Sequence, residues 1–325
     1  MPGRRMLLAA PALLFDLAAR RAAAQAWPSR PLRLVIPWPP GQAVDLAARI
    51  LAQPLAEALG QPVVTDNRAG AGGMIGTDLV AKSAPDGYTL LAASTGPLVT
   101  APLLQPTAYN PELDFANVSI IGVSGYVMVV RSDFPAASAA EFVALLRASP
   151  GRYTYASSGT GTAAQVSAAW LHAAMGLDVV HIPFAGTGAA LASVVGGHVD
   201  YSIESVAGAA TLIRAGQLRA LGTTLRGGSA LLPGIGPLAA LPGMADYDAG
   251  AWTGFMLPAH TPGPVVERLN GAIGAAMTLP EIRQRLVAAG LEVEFRNTSA
   301  MATTISRQRR AFAEAIRVAH IKLDG

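Results

Sequence analysis

A chain of 325 residues, 51% hydrophobic and 14% charged, is long enough for two domains with buried cores and too apolar for disorder. The first 26 residues hold Arg4, Arg5, Arg20, Arg21 and Asp16, four of the 24 basic and one of the 21 acidic residues, so twenty of each remain and the formal charge of +3 belongs to this leader. A neutral remainder lacks the electrostatic premise for nucleic-acid binding, and a chain without cysteine has neither disulfides nor thiolate metal sites.

Arg4-Arg5 precedes an apolar run from Met6 to Phe15, and Ala24-Gln25-Ala26 supplies a small-x-small cleavage site before Trp27. Residues 1–26 therefore read as a signal peptide, with the arginine pair leaving a twin-arginine route open. The run is too short to cross a bilayer and no later stretch nears the ~20 apolar residues a span requires, so no membrane insertion of the mature chain is expected. Beyond it, short β-branched runs alternate with Ala-rich helical patterns, the signature of βαβ units on a mainly parallel sheet. Strand Leu32–Ile36, helix Val44–Leu59, strand Pro62–Thr65, helix Met74–Lys82 and strand Thr89–Ala93 begin one doubly wound lobe. The pattern restarts at Tyr126, with strands Val127–Val130, Tyr153–Ala156, Val179–Ile182, Val199–Ser202 and Arg219–Thr223 around helices Ala139–Ala148, Ala163–Met175 and Ala189–Val195. After the Gly/Pro-rich stretch Gly227–Gly243, strand Trp252–Leu257 and helices Pro264–Met277, Glu281–Ala289 and Ser299–Val318 hold too few strands for a third sheet. They are expected to return to the first lobe, which gives lobe 1 as 27–124 with 228–325 and lobe 2 as 125–227. Two chain crossings then make a hinge, with the ligand in the cleft between.

Three strand-to-helix turns are rich in Gly and hydroxyl residues: Pro37–Asp45, Asn67–Gly76 and Ser157–Thr162. In the first, the prolines fix φ, Gly41 permits a tight turn, and the following helix start presents unpaired N–H groups that hold a carboxylate without a cationic side chain. Gly159-x-Gly161-x-x-Ala164 formally matches a dinucleotide fingerprint, but the acid expected after the next strand is missing, since Ile182-Pro183 stands there. No P-loop and no Gly-x-Ser-x-Gly elbow occurs, and His172, His181, His198, His260 and His320 lack metal-ligand spacing, so neither cofactor nor metal is expected. Several residues keep two readings. Arg68 meets an acidic ligand or ties down its loop; Asp45 answers the helix dipole or a ligand ammonium; Trp38 and Phe184 wall the pocket or fill core.

The segments Trp27–Pro31, Leu34–Gly41, Asp66–Gly73, Ala84–Leu91, Tyr155–Gly159, His181–Gly186 and Gly216–Leu221 carry a resemblance. Over about Trp27 to Leu323 the chain resembles the substrate-binding (Bug-type, TctC-like) receptors of tripartite tricarboxylate transporters. The resemblance implies an α/β, periplasmic-binding-protein-like (type II) fold: two doubly wound lobes around a ligand cleft. It also implies a periplasmic, monomeric receptor that captures a small carboxylate or related metabolite and delivers it to membrane permease subunits. Ligand contacts implied in lobe 1 are Trp38, Gly41, Gln42, Val44, Asp45, Ala71, Gly72 and Ser94. In lobe 2 they are Ser157, Ser158, Gly159, Thr160, Thr162, Phe184, Thr187 and Glu204. Where the family tends to have Gly-Gly this chain has Gly41-Gln42; Gln165 stands for a common His, Ala185 for a Lys, and Ile203-Glu204 for Phe-Asp. These departures remove charge and lengthen an acid, which points away from the family's default dicarboxylate towards an uncharged or mixed-charge ligand. The alternatives from other classes are an α/β enzyme, hydrolytic or dinucleotide-dependent, and a sensory receptor not coupled to transport.

Overall fold

Buried aliphatic runs become strands and Ala/Leu stripes become helices throughout the computed structural model, which describes residues 27–321; the expected signal peptide lies outside the described residues. In chain order, β1 (Leu32–Ile36), α1 (Ala43–Leu59), β2 (Val63–Asn67), α2 (Met74–Ala81) and β3 (Thr89–Ser94) build a parallel βαβαβ unit. A π-helical turn, Gly96–Thr100, runs into the short helix α3 (Ala101–Leu104) and then into β4 (Phe115–Arg131), a strand of 17 residues. There follow α4 (Ala139–Ala148), β5 (Thr154–Ser157), α5 (Ala163–Met175), β6 (Val180–Pro183), α6 (Thr187–Val195), β7 (Tyr201–Ser205), α7 (Val206–Arg214) and β8 (Leu218–Thr223). The chain then returns through β9 (Gly250–Pro258), α8 (Gly263–Ala276), α9 (Pro280–Ala288), β10 (Glu292–Arg296) and α10 (Thr298–Val318).

β4 belongs to both lobes. Its first part pairs antiparallel with β9 and β10, which gives the order β2-β1-β3-β9-β4-β10. From Tyr126 onward it pairs with β7 and β8 instead, and β5 and β6 extend that second sheet in parallel. α1 shows why the lobes hold together: Ala47, Leu51, Leu55 and Leu59 form one buried face, and Gly60 closes the helix in the left-handed region. That face packs with Leu34, Ile36, Phe255 and Leu269 in the first core. Met128, Phe142, Tyr155, Leu171 and Tyr201 anchor the second. No helix among the described residues is long and apolar enough to cross a membrane.

The two-lobed α/β architecture agrees with the expectation, and four details differ. The stretch Phe115–Gly125, to which no element is assigned from sequence, is strand; a Cβ on Gly122 would stand 2.8 Å from the Glu292 carbonyl of β10, so close pairing selects glycine there. The helical stretch Gly96–Leu104, α7 and β10 were not anticipated. The chain also stays with the second lobe past residue 228: Leu232 packs with Val129 and Leu191, and Leu238, Leu241, Met244 and Tyr247 join Phe142 and Tyr201. Finally, α10 does not keep to the first lobe. Met301 and Phe312 share a buried cluster with Trp252 and with Val166 of α5, so the last helix spans both lobes.

Candidate functional site

The first turn of α1, the Ala71–Gly72 turn before α2, the end of β3 and the Thr160–Ala163 stretch entering α5 open onto one cavity of about 620 Å³. Each polar loop around it is held from behind by an acceptor of the protein itself. Gly41 donates its N–H to Asp45 Oδ2 at 2.9 Å, while Asp45 Oδ1 accepts from Arg49 Nε at 2.9 Å and Asn67 Nδ2 at 2.8 Å. Burial pushes the Asp45 carboxyl up, but the bonds from Asn67, Gly41 and Arg49 outweigh it and hold the pKa below the ordinary value. Asp45 is thus spoken for inside the loop, which fits neither a bare dipole partner nor a ligand contact. Arg68 pairs with Asp66 at 3.0 Å, so it ties the second loop down through an ion pair.

In the second lobe the carboxylate of Glu204, 1% exposed, accepts from Ser158 N–H at 2.6 Å and from the Thr187 hydroxyl at 2.7 Å. Gln165 Oε1 accepts from Gly161 N–H at 2.6 Å. Its Nε2 consequently faces His181 Nδ1 at 3.1 Å and donates to it. With Nδ1 an acceptor, the neutral ring carries its proton on Nε2, which donates to Ser157 Oγ at 2.7 Å. Burial lowers the His181 pKa and favours this neutral form. The Ser157–His181 pair therefore runs in the wrong direction for a general base: the imidazole gives Ser157 a proton to share and has no lone pair free to remove one.

Of the residues expected at the site, Trp38, Gln42, Val44 and Ala71 line the cavity, as do Gly72, Ser94, Thr160 and Thr162. Trp38 serves both of its readings, since it packs against the first core and donates its indole N–H to Ser94 Oγ at 3.0 Å. Gly41, Asp45, Ser157 and Ser158 do not reach the cavity wall, nor do Gly159, Phe184, Thr187 and Glu204. Phe184 packs instead with Val127 and Leu191, and the other polar members bond one another behind the loops. The amide donors left facing the cleft include the first turn of α1, whose N-cap Gln42 makes no side-chain capping bond. Thr162, by contrast, caps α5 by accepting from Gln165 N–H.

Sequence reasoning missed a second part of the wall: Met74, Thr95, Ala101, Leu104, Tyr126 and Trp252. Apart from Met74, which lies in the Asn67–Gly76 turn, no glycine-rich motif marks these positions. The only signal was the apolar run Pro97–Leu104, which reads equally well as core.

The model for the family described as "Tripartite tricarboxylate transporter family receptor" matches residues 47–318. A "UPF0065 protein in tcbD-tcbE intergenic region" of Pseudomonas sp. (strain P51) is 38% identical over 291 residues, 89% of this chain and 87% of that protein. Among solved structures, an R. palustris protein with adipate is 27% identical with a TM-score of 0.73, covering 91% of this chain and 99% of the other. MatC from Rhodopseudomonas palustris with bound malate is 30% identical with a TM-score of 0.70, covering 89% and 100%. The matching family is one of receptors rather than enzymes, so neither the hydrolytic nor the dinucleotide-dependent alternative has support.

Proposed function

The chain belongs to the tripartite tricarboxylate transporter family of receptors, and from that premise we propose that it captures a small carboxylate or related metabolite in the periplasm and hands it to membrane permease subunits. Residues 1–26 direct its export and are removed, and the mature chain works as a monomer. The observation that carries this reading is the single cavity onto which the uncapped start of α1 and the Thr160–Ala163 stretch both open, one from each lobe. Helix-terminal amides there supply partial positive charge without a cationic side chain, which suits an anion that must be released again. The malate and adipate held by the two related structures support the ligand class.

Purified protein lacking residues 1–26 is expected to gain thermal stability with one or a few carboxylates, because ligand bound only by the folded state stabilises it by RT ln(1 + [L]/Kd). NMR of the recovered ligand should find it chemically unchanged. Turnover of a stabilising carboxylate, or stabilisation by none of a broad panel, contradicts the reading.

A further inference from the structure

We infer that the cleft selects a monocarboxylate with an apolar body over a dicarboxylate of the same skeleton; this rests on the carboxylate reading and names the ligand class within it. The lining contains no Lys, Arg, His, Asp or Glu among the described residues. Beside the first-turn amides of Ala43 and Val44 and the hydroxyls of Ser94 and Thr160, the wall is mainly Met74, Ala101, Leu104, Tyr126, Ala251 and Trp252, with the neutral side chains of Gln105, Ser124 and Thr253 among them. One carboxylate is served by the first group. A second, held apart by the ligand's own skeleton, comes against the second.

The arginines that hold the first-lobe loops are engaged elsewhere: Arg49 is bonded to Asp45, Thr65 and Asn67, and Arg33 and Arg68 are both bonded to Asp66. Two polar atoms buried in the wall have no partner among the described residues, Thr100 Oγ1 and Trp252 Nε1; each offers a single neutral donor and neither supplies an opposite charge. An ionised carboxylate transferred from water to such a wall loses hydration that no ion pair replaces, whereas a methylene or ring face gains by leaving water. The sign of the selectivity follows from that difference.

The test is isothermal titration with two matched pairs that differ only by the second carboxylate: hexanoate against adipate, and benzoate against terephthalate. The monoacid of at least one pair should bind at least tenfold more tightly than its diacid. A diacid that binds as tightly as its partner, or more tightly, in every pair that binds at all overturns the inference and leaves the carboxylate reading intact. Silence from both pairs while another diacid such as malate binds also overturns only the inference; silence from every carboxylate overturns both. Leu104→Lys places a cation in the apolar wall and should raise affinity for the diacid at least tenfold while weakening the monoacid. Met74→Lys serves where circular dichroism shows that Leu104→Lys does not fold. Unchanged preference in a folded variant contradicts the assignment of this wall.

Discussion

Removing one partner from a buried, fully bonded carboxylate site costs far more than the bond itself contributed, because the groups left behind stay desolvated. Glu204 is such a site, with Ser158 N–H and the Thr187 hydroxyl as its donors. Glu204→Ala should therefore lower stability by ~1–3 kcal/mol in a denaturant titration, and Glu204→Gln by less, since its amide oxygen still accepts from Ser158. Equal losses for the two variants contradict this assignment. His172 gives the chain a pH signature. Its Nε2 shares a hydrogen bond of 2.7 Å with Tyr201 OH, and burial, with His181 nearby, holds its pKa down to about 3. The unfolded chain, with an ordinary His pKa of ~6.5, binds more protons than the native one between about pH 6.5 and 3. Stability must fall as pH drops through that window, by at most ~1.4 kcal/mol per pH unit for this group. His181 adds in the same direction, so the comparison is with His172→Gln, which retains an acceptor for Tyr201 and should show a shallower slope. Parallel slopes would exclude His172 as a source of the effect.

At the level of elements, what the sequence reveals depends on whether a segment's neighbours are local. α1 was legible because its buried stripe and Gly60 cap lie within one stretch of chain. The first part of β4 was not, because Gly122 there answers the backbone of β10, some 170 residues later in the chain, which no local window contains. Gly76 is a similar case with a functional consequence. A Cβ there would lie 2.7 Å from the Arg68 carbonyl and 2.9 Å from Pro37 Cα, so glycine lets α2 seat directly on the loop after β1 and positions the Ala71–Gly72 turn. Gly76→Ala should cost ~1–3 kcal/mol of stability, as overpacking does, and should weaken ligand binding as the turn is displaced. Gly188 in α6 has open space around its Cβ position, so Gly188→Ala should be neutral or stabilising by up to ~1 kcal/mol. Thermal melts of both variants with and without ligand check the pair.

For the whole molecule, the glycine-rich loops open onto one cavity, but their glycines do not reveal its chemistry. Several of their amides are occupied from within by Asp45, Gln165 and Glu204, and the apolar side chains lining the cavity come from α2, α3, β4 and β9, whose placement depends on tertiary packing. Both lobes meet where β4 passes between them and where α10 lies across to α5, so the cleft is a product of the assembled fold rather than of any one motif. A crystal structure of the protein with the tightest-binding carboxylate tests this account most directly. The ligand carboxylate should lie against the first-turn amides of α1 and the Thr160 hydroxyl, with its body against Leu104 and Met74. A carboxylate bound outside this cavity, or one turned so that it rests on the apolar wall, would contradict it.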